Sequence, residues 1–468
     1  MAIGEHAIAG LTLMRRAAEA CWIACCEGYP AATRYTVFCG SGNNAGDGYL
    51  LAGLMAERGR TVQVLVVGDP DKLGDDARAT LRFCEASGVR PESFTANSLI
   101  EGEVVVDALL GTGTRGEVRP NYRDAIGMIN ESGLPVVAVD LPSGLSADTG
   151  ASLGVTVRAD VTVTFIGLKR GLFTGDASEF AGEIRFADLD VPDAVYDRVP
   201  GSVRLLRAGG QPLGRRHRNA HKGRHGHLLV LGGNHGMAGA VLMSGEAALR
   251  CGAGLVSMGT RPGHAGAMLG RRPELMVRGV EDRADLAPLL ERADAIAIGP
   301  GLGTDDWSRM LMASALESGL PLVVDADGLN LLAASDQRND DWILTPHPGE
   351  AARLSGRSVQ DRRFEAAQEI SAARGGVTVL KGAGTLITSA EGVSVCPYGN
   401  PGMSTAGMGD ILTGVIGAML AQGLRGHLAA ETGVVLHARA GDEAAQGGER
   451  GLLATDLLLP LRRLANEL

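Results

Sequence analysis

Residues 36–68, TVFCGSGNNAGDGYLLAGLMAERGRTVQVLVVG, decide the architecture. A β-rich run, Thr36 to Gly40, passes through small and polar residues into a helical pattern from Tyr49 to Arg58, and a second β-rich run follows from Thr61 to Gly68. Strand, crossover helix and strand are the repeating unit of a parallel sheet. The runs are apolar throughout instead of alternating, as befits strands covered on both faces. Downstream the pattern continues with a helix from Asp75 to Ser87, a strand from Val104 to Ala108, a helix from Tyr122 to Ser132, and strands at Pro135 to Asp140 and Val161 to Phe165. Upstream, Leu13 to Cys26 carries a helical period.

Between Pro200 and Lys222 the periodicity lapses into Gly, Pro and a basic cluster, RAGGQPLGRRHRNAHKGRHGH. The domain boundary is expected there, giving domains 1–209 and 210–468. Beyond it come a strand at His227 to Gly233, a helix from Gly239 to Cys251, and strands at Ala295 to Ile298, Pro321 to Asp325, Trp342 to Leu344, Val377 to Leu380 and Leu386 to Thr388. A long helix runs from Asp410 to Gln422, and no internal repeat links the halves. The expected fold class is α/β throughout, a Rossmann-like three-layer N-terminal domain followed by a different α/β domain.

The bulk numbers agree with two domains, since 468 residues with 45% hydrophobic content can fill two cores. A net charge of −10 argues against a nucleic-acid surface, which needs arrays of Lys and Arg. Seven cysteines read as reduced thiols, with Cys21, Cys25 and Cys26 as buried small hydrophobes. His217, His221, His225 and His227 lack a Cys or carboxylate partner in step and read as a solvated linker face. With no secretory signal and no run of 18 apolar residues, a soluble cytoplasmic protein is expected. Its expected partners are small-molecule substrates and other copies of the chain in a homo-oligomer, with no nucleic acid and no membrane.

The loop after the first strand carries Asn43, Asn44 and Asp47 among glycines, where backbone N–H groups and a helix N-terminus make an anion site. A tight turn would need the glycines but not these side chains. Two later strands end in VVVDALLGTGTRG and VVAVDLPSGL, each delivering a carboxylate, Asp107 and Asp140, to the carboxyl edge where such sheets bind ligands. Oxygen donors from Asn44, Asp107 and Ser143 suit a hard cation. Asp140 is then free for proton transfer, although either carboxylate alone also reads as a strand-end cap.

The ordered motifs GNNAGDG, DALLGTG, AVDLPSGL and ADVTVTFIGLKRGL resemble the epimerase domain of the NAD(P)H-hydrate repair family over nearly all of the first half. The resemblance implies potassium held by Asn44, Asp107 and Ser143. It implies hydrate contacts from Asn43, Asn44, Ala45, Gly46 and Asp47, from Gly111, Thr112, Gly113, Thr114, Arg115, Gly116 and Glu117, and from Asp140. Ala45 replaces the family's Gly, which matters if φ is positive there. The family also has a further helix before LMRRAAEA, at a domain edge or subunit contact, that this sequence lacks, which bears on dimerisation and epimerase activity. The implied reaction moves a hydroxyl between the two faces of C6 on a hydrated dihydronicotinamide. One mobile carboxyl, Asp140, would protonate the leaving oxygen and then serve the returning water.

In the second half, NPGMSTAGMGDILTGVIGAMLAQG turns a Gly-rich loop into a long helix with Asp410 in its first turn. The N–H groups of Ala406 to Gly409 and the helix dipole suit a transferring phosphoryl group. Asp410 stands where a base is needed, or where an N-cap would be. Lys381, Gly382, Ala383, Gly384 and Thr385 follow the strand VTVL with a cation and flexible backbone for nucleotide phosphates. GPGLG, DADGLN and TPHPGE end strands at the same edge, and His347 lies between two prolines as a ligand contact or an exposed turn residue.

From His221 to Leu468 these segments together resemble the ribokinase-like superfamily and, within it, the NAD(P)H-hydrate dehydratases. The resemblance implies that Ala240, Gly303, His347 and Asp410 meet the hydrate. Lys381, Gly382, Ala383, Gly384, Thr385 and Gly409 would meet an adenine nucleotide, ADP or ATP with Mg2+, the fused architecture resembling ADP users. Met408 stands for the usual Thr or Ser, and Gly328 for the usual Ala. The implied chemistry is phosphorylation of the hydrate's hydroxyl followed by loss of phosphate, with Asp410 as base. Two other readings stay open: a small-molecule kinase that accumulates a phosphorylated product, and a first half that binds ligand without catalysing.

Overall fold

The computed structural model describes residues 8–209 and 212–467. The chain divides into two compact units between Gly201 and Ser202. In the first, the strands β1 (Arg34–Cys39), β2 (Thr61–Val66), β3 (Glu92–Ser93), β4 (Val104–Ala108), β5 (Val136–Val139), β6 (Val161–Phe165) and β7 (Glu183–Ala187) form one sheet in the order β3-β2-β1-β4-β5-β6-β7. Every pairing is parallel. Alternate residues feed two cores: Tyr35, Val37 and Cys39 pack on one face while Phe38 packs on the other. That is why the strands read as unbroken apolar runs. The strand order reverses between β1 and β4, which opens a crevice at their carboxyl ends.

The first crossover helix spans Asn43–Glu57 and so starts six residues before the expected Tyr49. Asn43 to Asp47 are its opening turn, not a loop. Small residues permit close packing there: a Cβ on Gly48 would sit 2.5 Å from Ala108 Cβ on β4. Glycine reads as a breaker in sequence and acts here as a contact surface. Ala45 is helical and fully buried, so no glycine is required at that position.

The second unit contains β8 (Arg204–Leu205), β9 (His227–Leu231), β10 (Leu255–Thr260), β11 (Met276–Gly279), β12 (Ala295–Ile298), β13 (Leu322–Val324), β14 (Trp342–Leu344), β15 (Val377–Leu380), β16 (Thr385–Ser389) and β17 (Gly392–Cys396). They form a sheet in the order β11-β10-β9-β12-β13-β14-β15-β16-β17-β8. The run from β11 to β15 is parallel, and β15, β16 and β17 form an antiparallel meander. β8 lies parallel to β17, with Ser394 opposite Arg204 and Val395 opposite Leu205.

That pairing shifts the join expected at 209/210 upstream to 201/202, because the residues leading to Gly209 begin with a strand of the second sheet. Gly210 and Gln211 lie outside the described residues. A two-residue strand carries no readable period, and Arg204 is held instead by an ion pair with the buried Glu431 carboxylate. Among the described residues no helix is long and apolar enough to cross a membrane.

Candidate active sites

In the first unit, Asn44 from the opening helical turn meets the end of β4, donating from Nδ2 to the Leu110 carbonyl at 3.2 Å. Asp107, at the end of β4, is fully buried and accepts from the Ser143 backbone N–H at 2.7 Å, the Ser143 hydroxyl at 2.6 Å and the Leu109 N–H at 3.2 Å. Burial pushes its carboxyl up to about 6, against the lowering effect of these donors. Asn44 Oδ1 is buried without a hydrogen-bond partner, and among the described residues no Lys, Arg or His forms an ion pair with Asp107. A buried anion beside an orphaned acceptor fits a hard cation bound through oxygen. Gly111 lies against this point, where a Cβ would sit 3.4 Å from Asn44 Cβ. Thr112, Gly113, Arg115, Gly116 and Glu117 continue as an exposed loop, with Thr114 folded back onto the Gly111 carbonyl.

Asp140 follows β5 with φ 67°, a left-handed conformation that Asp tolerates better than most residues. Its carboxylate forms an ion pair with Lys169 and accepts from the Phe165 N–H at 3.2 Å and the Thr164 hydroxyl at 3.3 Å. Lys169 Nζ also donates to the Phe165 carbonyl at 2.9 Å. Asp47 faces the same pair. Its carboxyl is raised well above the usual range by burial and then by the Asp140 charge, with Lys169 opposing. One cation and two carboxyls therefore share this part of the crevice.

In the second unit, a single carboxylate gathers four segments. Asp325, 2% exposed at the end of β13, accepts from Lys381 Nζ at 2.7 Å, the Thr345 hydroxyl at 2.8 Å and the Thr413 hydroxyl at 2.9 Å. Thr345 opens TPHPGE, Lys381 opens the KGAGT connection between β15 and β16, and Thr413 lies on the helix Met408–Ala421. Gly407 is that helix's N-cap, with φ 92° and a Cβ position 2.7 Å from Met243 Cε, so glycine is needed there. Asp410 is consequently the third helical residue, not its N-cap, and it makes no capping hydrogen bond. A Cβ on Gly409 would sit 3.3 Å from Lys381 Nζ, which puts the ammonium beside the exposed N–H groups of the first turn. Burial, followed by the Asp325 charge, pushes the Asp410 carboxyl up to about 7, with Lys381 opposing and Asp327 adding.

The other expected residues cluster around this edge. Gly303, with φ 73°, donates its N–H to Asp327 Oδ2 at 2.8 Å, and Ala240 lies in the first turn of the helix Ala238–Arg250 against Gly301. His347 caps the helix Pro348–Ser355, its Nδ1 accepting from the Gly349 N–H at 3.0 Å, while Glu350 returns a bond to the His347 N–H. Its ring is half exposed, and burial followed by Lys381 and Arg353 lowers its proton affinity. Thr385 donates to the Gly382 carbonyl at 3.0 Å and closes the KGAGT turn. Buried Met408 replaces the family's hydroxyl with an apolar side chain in the core. A Cβ on Gly328 would sit 2.8 Å from Val324 Cγ1, so Ala there would require a shift.

Three residues essential to this geometry were not singled out from sequence: Lys169, Asp325 and Asp327. Lys169 sits in a quoted motif but beside Arg170, with nothing to say which of the two faces Asp140. Asp325 and Asp327 sit in DADGLN, but the Lys381 partner of Asp325 lies 56 residues away and its Thr413 partner 88.

Both units match known proteins. Residues 228–463 match the family model described as NAD(P)H-hydrate dehydratase, and residues 10–171 match that described as YjeF-related protein N-terminus. A bifunctional NAD(P)H-hydrate repair enzyme of Coxiella burnetii is 49% identical over 99% of this chain and 96% of its own length. The Escherichia coli enzyme of that name is 41% identical over 98% of this chain and 91% of its own. Among solved structures, a ribokinase-like superfamily protein of Enterococcus faecalis superposes with a TM-score of 0.53 at 30% identity, covering 57% of this chain and 96% of that one. The chain belongs to the bifunctional NAD(P)H-hydrate repair enzymes.

Proposed function

We propose that the first unit interconverts the R and S hydrates of NADH and NADPH, and that the second dehydrates the S hydrate at the expense of an adenine nucleotide. The observation that carries the reading is Asp410: a half-buried carboxyl whose proton affinity is raised to about 7, in the first turn of a helix and beside the Lys381 ammonium. Such a group is a base at neutral pH, next to positive charge aimed where a phosphoryl group would pass.

In the dehydratase reaction, Asp410 takes the proton of the C6 hydroxyl as that oxygen attacks the terminal phosphorus of the donor. The phosphorus–oxygen bond to the leaving nucleotide breaks, and Lys381 with the first-turn N–H groups stabilises the negative charge. The ring nitrogen lone pair then expels phosphate from C6, and loss of a proton from C5 restores the double bond. The nucleotide enters as its magnesium complex, ADP being the favoured donor over ATP. Lys381 to Thr385 and Gly409 form its cradle, while Ala240, Gly303 and His347 face the hydrate.

In the epimerase reaction, Asp140, paired with Lys169, serves the returning water, while Asp47, whose proton affinity is raised by burial, supplies a proton to the leaving hydroxyl. Asn43 to Asp47 and Gly111 to Glu117 line the hydrate site. Asn44, Asp107 and Ser143 would hold potassium, which when bound supplies a fixed positive charge to the crevice.

The seven free cysteines fit the reducing cytoplasm. The same reading includes a homo-oligomer, for which exposed Leu453 and Leu459 offer apolar surface, and its mass in solution checks this. The test of the reading is to incubate the protein with S hydrate, magnesium and either nucleotide. Free phosphate and the absorbing reduced ring should appear together. A phosphorylated product that accumulates instead would identify a small-molecule kinase.

A further inference from the structure

Asp325 accepts three side-chain hydrogen bonds from three different segments of the second site, and it is not itself the group placed for proton transfer. Its Oδ1 accepts from Lys381 and Thr345 and its Oδ2 from Thr413, at 2.7–2.9 Å. The next residue, Ala326, has φ 45°, a left-handed conformation that a non-glycine residue holds only when its surroundings enforce it. A Cβ on Gly409 would sit 3.4 Å from Asp325 Oδ2, so the carboxylate lies directly under the first turn of the Asp410 helix. We infer that Asp325 is a positioning residue for phosphoryl transfer, fixing the Lys381 ammonium and acting on Asp410 through its charge. The inference rests on the reading of Asp410 as the base.

A buried carboxylate is costly unless it is paired and fully hydrogen-bonded. Here one ammonium and two hydroxyls satisfy it, the Thr345 hydroxyl lying closer to Asp325 at 2.8 Å than to the Val324 carbonyl of β13 at 3.3 Å. The ammonium cannot swing away without leaving the charge bare, so it stays where the Gly409 backbone approaches it. Beyond the larger effect of burial, the Asp325 charge disfavours a second anion nearby and adds to the upward shift of the Asp410 carboxyl.

The charged groups around Asp410 are Asp325 and Asp327 at the start of the helix Ala326–Ala333, Lys381 after β15, and Glu350 behind Lys381. On the adjoining helix Gly426–Ala444, His437 is pushed down to about 4 by burial, and His347 is also lowered. Neither histidine, then, introduces charge near pH 7.

The test is the pH profile of kcat/KM for dehydration of the S hydrate, with the full-length protein and one fixed nucleotide, so that the nucleotide's own ionisation is common to all variants. The wild type should lose activity on the acid side around pH 7, as Asp410 becomes protonated. Removing the neighbouring negative charge lowers the proton affinity of Asp410, so in Asp325→Asn the acid limb should move down by about one pH unit or more. Asp325→Ser, neutral and smaller, should move it the same way and guards against one variant failing to fold. Lys381→Met removes the opposing charge and should move the limb up. Looser placement of Lys381 should also raise KM for the nucleotide in both Asp325 variants. A folded Asp325 variant whose acid limb stays at the wild-type pH would overturn the inference. Asp410→Asn separates the two readings: a limb that persists there overturns the base assignment, whereas a limb that vanishes there but stays fixed in the Asp325 variants overturns this inference alone.

Discussion

Asp47, Asp140 and Lys169 show how one charge can divide two like groups. Lys169 pairs with Asp140, while the Asp47 carboxyl is raised by burial and then by the Asp140 charge. A carboxyl with a raised pKa is in its acid form below that pKa and loses it as pH rises through it. Epimerisation should therefore fall on the alkaline side. Asp47→Asn should slow exchange of the hydrates by a factor on the order of 10² to 10⁴ and remove the alkaline limb. Measured rates of R-to-S conversion against pH check this, and an alkaline limb that survives in Asp47→Asn would return both proton roles to Asp140. The sequence made Asp140 and Asp47 visible because each lies in a motif at a strand end or helix start. It did not reveal the proposed division of labour, which rests on Lys169 folding back from beyond β6 and on the raised proton affinity of Asp47. Asp410 was legible as a first-turn carboxylate, but its raised proton affinity comes from burial and then from Asp325, which no local spacing connects to it.

At the scale of elements, the strands buried on both faces were the most legible, and β4, β6, β12, β14 and β15 begin and end at their expected residues. The helix Asn43–Glu57 was misjudged at its start because Gly46 and Gly48 carry poor helix propensity, which packing against β4 and a neighbouring helix overrides. The edge strands β3, β7, β8 and β11 were not anticipated, nor were β10 and β17 inside the second sheet; β3 and β8, two residues each, lack both length and alternation. β8 has a practical consequence. Cutting between Gly201 and Ser202 should give a second unit that keeps its edge strand and the Arg204 partner of Glu431. Cutting after Gly209 removes both and leaves the Glu431 carboxylate with only Ser394 and His427. The shorter fragment should be less stable by about 1–3 kcal/mol, the range for a buried polar group that loses a partner. Denaturant unfolding of the two fragments checks this, and equal midpoints would mean that β8 contributes nothing to the second unit.

At the scale of the molecule, two α/β sheets with unrelated strand orders each present a site where the carboxyl ends of neighbouring strands meet. The gathering of the motif residues at one edge of each sheet was legible because the motifs fell at successive strand ends, whereas the position of the join depended on tertiary pairing. The central claim is that two separable activities reside on one chain, with Asp140 serving the first and Asp410 the second. The most direct measurement is recovery of reduced-ring absorbance from an equal mixture of R and S hydrates, supplied with nucleotide and magnesium, over times short compared with spontaneous epimerisation. The wild type should restore the whole mixture, Asp140→Asn should stop after the S half, and Asp410→Asn should restore little of either. Full recovery by folded Asp140→Asn at the wild-type rate, or rapid recovery by folded Asp410→Asn, would contradict the account.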